Sequence, residues 1–135
     1  MPSSLRWLML LLIAAILVAL AAGGIMYAET RSRTRIMAEQ ASGGSARAGR
    51  TAILAYGCGS CHDIPGIDGA NGSVGPSLAG IATRTTVAGR LPHTPDAMTR
   101  WIQHPQAISP GSGMPEQGVS EQEARDIAAY LYGLT

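Results

Sequence analysis

A long apolar segment near the start of the chain contains no polar residue. Every residue from Trp7 to Ala22 is apolar. As a helix, a run of about 20 such residues matches the thickness of a bilayer core. Trp7 and Tyr27 stand near its two ends, where aromatic residues favour the membrane interface. Residues 1–27 are therefore predicted to form a single transmembrane anchor, with a secretory signal peptide as the alternative.

A polar segment separates this anchor from the rest of the chain. Residues 28–44 are predicted to form a flexible tether, because the segment ends in small residues and two glycines. Residues 45–135 then remain for one folded domain. A domain of this size gains little stability from an apolar core alone. We therefore expect a rigid group inside it around which the chain packs.

Helical patterns separated by long loops run through this domain. A short helix is expected over 46–57. A second is expected over 94–103, where a threonine N-cap precedes a proline in the first turn. A Ser-x-x-Glu capping box at 120–123 begins a third helix with apolar residues at helical spacing. Residues 63–80 are rich in glycine and proline, which excludes regular structure there. The pattern predicts an all-α fold.

The charge distribution argues against one class of partner. The 135 residues include ten arginines, no lysine and nine acidic residues. From residue 51 onward, four arginines stand against seven acidic residues, so the domain is net acidic. Proteins that bind nucleic acid usually carry a basic surface. We therefore expect no nucleic-acid partner.

The segment Cys58-Gly59-Ser60-Cys61-His62 carries the most specific chemistry in the chain. The C-x-x-C-H spacing places two thiols one turn apart, so that both can form thioether bonds to the vinyl groups of one haem. The adjacent His62 can then reach the iron as an axial ligand. The segment therefore predicts one covalently bound haem c.

Three other interpretations of the two cysteines are weaker. A zinc site would need further ligands, and only His93 and His104 remain as additional histidines. A thioredoxin-like dithiol should follow a strand, whereas this one follows a predicted helix. A structural disulfide across two residues would be strained and would have no use for His62.

From about Gly49 to Leu134 the sequence resembles the class I cytochromes c. Gly75-Pro76-Ser77-Leu78 is similar to the family's G-P-x-L segment, and residues 110–115 resemble its distal P-G-x-x-M segment. The resemblance implies a small helical domain built around one haem. It also implies that Gly49 and Ile53 pack the first helix of the domain against its last.

The resemblance implies two axial ligands for the iron, His62 and the sulfur of Met114. A thioether is a weak, soft donor, which raises the reduction potential relative to two imidazoles. If Met114 were not the ligand, His104 would be the first substitute. Two filled axial positions imply an electron carrier, whereas a haem peroxidase or a gas sensor would need an open iron position.

The resemblance also implies roles for four residues beside the haem. The carbonyl of Pro76 would accept a hydrogen bond from His62 and strengthen its bond to iron. Leu78 belongs to the same haem-binding segment. Arg84 and Trp101 would lie near the haem propionates. The alternatives are a solvated surface residue for Arg84 and a core aromatic residue for Trp101.

Residues 101–135 look like cytochrome c modules that accompany or are fused to haem-copper oxidases. The resemblance therefore implies a respiratory single-electron carrier that is a subunit or donor of a terminal oxidase, with no small-molecule substrate. The alternative is an electron-accepting subunit of a membrane dehydrogenase or of a quinol:cytochrome c reductase.

The expected location is the bacterial cytoplasmic membrane, with the haem domain on the periplasmic side. This orientation follows from the resemblance, because bacteria attach haem to C-x-x-C-H proteins outside the cytoplasmic membrane. The arginines that follow Tyr27 outnumber the single Arg6 before it. Taken alone, that asymmetry favours the opposite orientation.

Overall fold

The computed structural model describes residues 3–135, which divide into two compact units. The first unit ends at Arg33 and the second covers Thr34–Thr135. Helix α1 (Ser3–Ser42) supplies the whole described part of the first unit. It is long and apolar enough to cross a membrane, and its large apolar side chains are exposed. Exposure of this kind suits a helix whose surroundings are lipid.

The predicted flexible tether differs from the structure, because residues 28–42 continue helix α1. No glycine or proline occurs between residue 28 and Gly43. Arg33 pairs with Glu29 at 2.6 Å and Arg35 pairs with Glu39 at 3.4 Å, each across one helical turn. Such pairs favour a helix. The helix ends only where Gly43 takes a positive φ of 68°.

The second unit is mainly helical, as the sequence predicts. Its helices after α1 are α2 (Ala46–Ala55), α3 (Pro95–Gln103), α4 (Pro105–Ile108) and α5 (Glu121–Tyr132). Short 3-10 turns cover Cys58–Ser60 and Ile81–Thr83. The predictions of α2, α3 and α5 are confirmed, including the side-chain caps of Thr94 and Ser120.

Besides the 3-10 turns and the end of α1, two elements of the second unit have no counterpart in the sequence prediction. One is the single turn α4. The other is an antiparallel hairpin of β1 (Thr86–Val87) and β2 (Leu91–Pro92), whose turn holds Ala88 at a positive φ of 53°. Strands of two residues are too short to show an alternating pattern.

The core of the second unit lies where α2 and α3 pack against α5. Gly49 lies at the crossing of α2 with α5, where its Cα faces the backbone of Asp126. Ile53 of α2 and Ile127 and Leu131 of α5 are buried beside this crossing. The expected packing of the first helix of the domain on its last is therefore present.

Asp126 is a buried carboxylate that joins the start of α2 to α5. Its Oδ1 accepts hydrogen bonds from the Ser45 amide at 2.7 Å and from Gln122 Nε2 at 3.1 Å. Glu39 Oε1 accepts from the next amide, Ala46 N, at 2.8 Å. Amides at a helix start lack intrahelical partners, so these carboxylates satisfy them. Glu39 thus belongs to the folded unit.

The capping box of α5 gives the domain an acid-sensitive contact. Glu123 Oε2 accepts hydrogen bonds from Ser120 and, at 2.8 Å, from the hydroxyl of Tyr56 on the facing segment. The Ser120 hydroxyl first, and then Tyr56, hold the pKa of Glu123 below its usual value. A carboxyl with a lowered pKa in the folded state stabilises that state above its usual pKa. That contribution is lost as the pH falls through the folded value.

We therefore expect the free energy of unfolding of Glu123→Gln to depend less on pH in the acidic range. Denaturant unfolding followed from about pH 6 to about pH 3 spans the ordinary carboxyl pKa. The unmodified chain should lose more stability over this range than the variant does. Glu121→Gln is the control, because Glu121 lies in the same helical turn but bonds to Arg125 instead. Equal acid slopes for the Glu123 variant and the unmodified chain would contradict the assignment.

Candidate functional site

The second unit contains a cavity of about 1000 Å³. It lies between α2, α3, α5, the hairpin and the loops that connect them, and apolar side chains such as Ile53, Ile127 and Leu131 form part of its wall. The lining includes every residue predicted for the site: Cys58, Cys61, His62, Pro76, Leu78, Arg84, Trp101 and Met114. Segments far apart in the sequence therefore converge on one space.

The two cysteines enter this space through a tight turn after α2. Gly57 takes a positive φ of 65° and turns the chain into the 3-10 turn that begins at Cys58. The amides of Cys61 and His62 both donate to the Cys58 carbonyl, at 3.2 and 3.0 Å. Glycine adopts this left-handed conformation without a steric penalty. The turn places both sulfurs and the imidazole on the cavity wall.

The side chains of Cys58 and Cys61 are both half-buried on the cavity wall. Burial is the largest cause that raises the pKa of the Cys58 thiol. Within residues 3–135, no three His, Cys, Asp or Glu side chains are grouped so that they could hold a metal ion. The zinc interpretation therefore finds no ligand set in the described chain.

The carbonyl of Pro76 fixes the His62 ring. Nδ1 of His62 lies 2.7 Å from this oxygen. A carbonyl can only accept, so Nδ1 carries the proton in this contact. In the neutral ring, Nε2 then keeps its lone pair and is free to bind a metal. The contact also makes the imidazole a stronger donor.

Gly75 provides the surface on which this ring lies. A Cβ atom on Gly75 would stand 2.4 Å from Cε1 of His62, well inside the contact distance. Only glycine therefore allows the ring its present position. The backbone at Gly75 and Pro76 holds the imidazole from two sides.

We expect Gly75→Ala to displace the imidazole of His62. The added methyl group should cost about 1–3 kcal/mol, the usual range for overpacking. The variant should yield less haem-loaded protein and should show a shifted reduction potential in a potentiometric titration. Gly24→Ala is the control, because Gly24 lies in α1 within the first unit and its Cβ would meet no described atom within 4 Å. Equal loading and potential for Gly75→Ala and the unmodified chain would contradict the expectation.

Two methionines contribute to the cavity wall. Met114 lies on the loop between α4 and α5 and is half-buried. Met98 of α3, expected as helix core, is buried with 2% of its surface exposed and also lines the cavity. His104, the substitute ligand, is not among the lining residues. Its exposed side chain lies 3.6 Å from Glu116.

Arg84 has backbone partners that the sequence did not suggest. Its Nη2 donates to the carbonyl of Ser77, and to that of Ala79 at 3.3 Å. The guanidinium group is therefore fixed to the segment that carries Pro76. It has five N–H donors, so further donors remain for an anionic group. Trp101 is half-buried on the cavity wall.

A small helical domain whose cavity is lined by a C-x-x-C-H segment is the structure of a c-type haem protein. Residues 46–135 match the cytochrome c family, and this match covers most of the chain. The protein belongs to the cytochrome c family.

Two kinds of curated relative are similar to this chain. It is 29% identical over 110 residues to cytochrome c oxidase subunit 2 of Alkalihalophilus pseudofirmus, an alignment that covers 81% of this chain and 29% of that protein. It is 35% identical over 88 residues to cytochrome c2 of Rhodopila globiformis, which covers 55% of this chain and 79% of the relative. The chain is also 28% identical over 87 residues to a second cytochrome c oxidase subunit 2, from Bacillus sp. strain PS3. That alignment covers 62% of this chain and 24% of that protein. The chain thus spans less than a third of either oxidase subunit. No solved structure matches the chain.

Family membership establishes the cofactor and the general activity. The domain over residues 46–135 carries covalently bound haem c, the group with which this family transfers electrons. The described residues fit this group, since the cavity brings together two thiols, an imidazole and methionine sulfur between apolar walls.

Proposed function

We propose that this protein is a membrane-anchored electron carrier whose haem is held between His62 and Met114 and which delivers electrons to a terminal oxidase. The observation that carries the proposal is that both side chains line the cavity that Cys58 and Cys61 also line. The bound haem supplies one-electron redox chemistry. If His62 and Met114 both hold the haem iron, no position on it would remain open to a substrate.

The residues around the haem would tune its reduction potential and hold it in place. The hydrogen bond from His62 to Pro76 raises the donor strength of the imidazole. Thioether ligation by Met114 favours the reduced state. Arg84 and Trp101 would bind the haem propionates through their N–H groups. Leu78, partly buried against the core, would pack on the haem face.

Two observations support the membrane and oxidase parts of the proposal. The apolar helix α1 would hold the carrier at the membrane, and export of the second unit to the periplasmic side would place it where haem is attached. Two relatives are named as cytochrome c oxidase subunit 2. Electron transfer needs close approach without bond formation, so a weak, short-lived contact with the oxidase would suffice.

Membranes of the source organism provide the test. After gentle detergent extraction, the full-length chain should copurify with a haem-copper oxidase, and cyanide should block the oxidation of the reduced chain by those membranes. Cyanide inhibition of the oxidase itself is verified with a soluble electron donor. Copurification with a dehydrogenase or a quinol:cytochrome c reductase, with oxidation of the chain unaffected by cyanide, would refute the oxidase as partner.

A further inference from the structure

The loop that carries Met114 has little structure of its own. Gly111 takes a positive φ of 80°, and a Cβ atom on Gly111 or Gly113 would meet no described atom within 4 Å. Two hydrogen bonds lie within the loop, from Ser112 N to Ser109 O at 3.0 Å and from Met114 N to Ser112 Oγ at 3.2 Å. Glycine gives a loop high conformational freedom, and the space around these two glycines contains no described atom that would restrict it. Its own packing therefore does not fix the methionine sulfur.

One side chain outside the loop binds it at three points. Gln106 Nε2 donates to the carbonyls of Ser112 at 2.8 Å and Met114 at 2.6 Å. Gln106 Oε1 accepts from the amide of Gly111 at 3.0 Å. The side-chain amide of Gln106 thus uses both N–H protons and its oxygen, and all three partners are backbone groups. These hydrogen bonds therefore fix the backbone of the loop and do not depend on its side chains.

The short helix α4 explains how Gln106 itself is held. The side chain of Pro105, which precedes it, is fully buried. The backbone amide of Gln106 donates to Glu116 Oε1 at 3.1 Å, two residues beyond Met114. The position of Gln106 is therefore anchored to the core on one side and to the end of the Met114 loop on the other.

We infer that Gln106 is a positioning residue that holds the backbone of the Met114 loop and so keeps the methionine sulfur on the iron. This inference rests on the proposed ligation by Met114. Exchange of the sulfur for an external ligand requires the loop to move away, which breaks the hydrogen bonds of Gln106. The net contribution of one neutral hydrogen bond corresponds to a change of about fivefold in an equilibrium constant. Loss of all three bonds should change ligand exchange by about tenfold or more.

The test uses imidazole as the competing ligand for the oxidised, haem-loaded, full-length protein. Gln106→Leu keeps the size of the side chain and removes its three hydrogen bonds. We expect imidazole to bind this variant about tenfold more tightly than the unmodified chain. The near-infrared band of sulfur-to-iron ligation should weaken or broaden. Gln103→Leu is the matched control, because Gln103 makes a single long bond, 3.5 Å to the carbonyl of Val119, which lies five residues beyond Met114.

The outcomes separate this inference from the proposed ligation. If Gln106→Leu binds imidazole within twofold of the unmodified chain and keeps its near-infrared band, Gln106 has no positioning role. If the unmodified chain itself lacks that band, the proposed ligation by Met114 is refuted, and with it the inference about Gln106. Should Gln106→Leu not load haem, Gln106→Asn gives the same measurement, because its shorter side chain cannot reach all three partners.

Discussion

Met114→Leu should abolish the near-infrared band of sulfur-to-iron ligation in the oxidised protein, whereas Met98→Leu should leave it unchanged. Both methionines line the cavity, so position alone does not separate them. Met98 projects from helix α3 and is buried among the core residues. Met114 lies on a loop that resembles the distal segment of the family. Three hydrogen bonds between this loop and the side chain of Gln106 hold it at the cavity.

The reduction potential should change together with the spectrum. Leucine resembles methionine in volume but has no donor atom, so water or added ligands gain access to the iron. Loss of the thioether would remove the proposed ligand, which favours the reduced state, and axial ligands control a span of about 0.8 V. We therefore expect the potential of Met114→Leu to fall by a substantial part of that span, as measured by potentiometric titration.

The Met98 variant is the control for this experiment. An exchange of methionine for leucine at constant volume in a core usually costs less than about 1.5 kcal/mol. Met98→Leu should therefore remain folded, with its band and potential retained. The reverse result, in which the band is lost only in Met98→Leu, would assign the ligand to α3. A band retained in both variants would exclude each methionine as the ligand.

The parts of this protein that the sequence predicts are those with local signals. The caps at Thr94 and Ser120 define α3 and α5 because a capping side chain binds amides two or three residues away. The attachment segment at 58–62 is equally local. The continuation of α1 to Ser42 was missed, because the two glycines after it suggested flexibility for the whole segment.

The elements that escaped prediction depend on contacts that residue types and their spacing do not reveal. Gln106 binds backbone carbonyls. Every residue type has a carbonyl, so the sequence does not show which ones it binds. Asp126 is an acidic residue within a helical pattern, and its role depends on an amide 81 residues earlier. The hairpin around Ala88 lines the cavity with strands too short for periodicity. The roles of these residues can therefore be seen only in the folded structure.

Gly49 shows how closely the two helices of the core approach each other. A Cβ atom on Gly49 would stand 1.9 Å from the carbonyl oxygen of Asp126 and 2.5 Å from its carbonyl carbon. Both atoms belong to the backbone of α5, so no side-chain rotation can relieve the clash. The two helices would have to move apart. That movement would also open the cavity, because Ile53 and Ile127 form part of its wall.

Gly49→Ala should therefore destabilise the domain severely. Overpacking costs up to about 3 kcal/mol and sometimes more, whereas alanine regains only about 1 kcal/mol of helix propensity. The net loss is a large share of a typical stability of about 5–15 kcal/mol. Denaturant unfolding of the haem-loaded protein measures it. Gly24→Ala, at a helical glycine of α1 with no described atom within 4 Å of the new Cβ, should leave the unfolding of the second unit unchanged. Equal midpoints for Gly49→Ala and Gly24→Ala would show that α2 and α5 do not cross as closely as described.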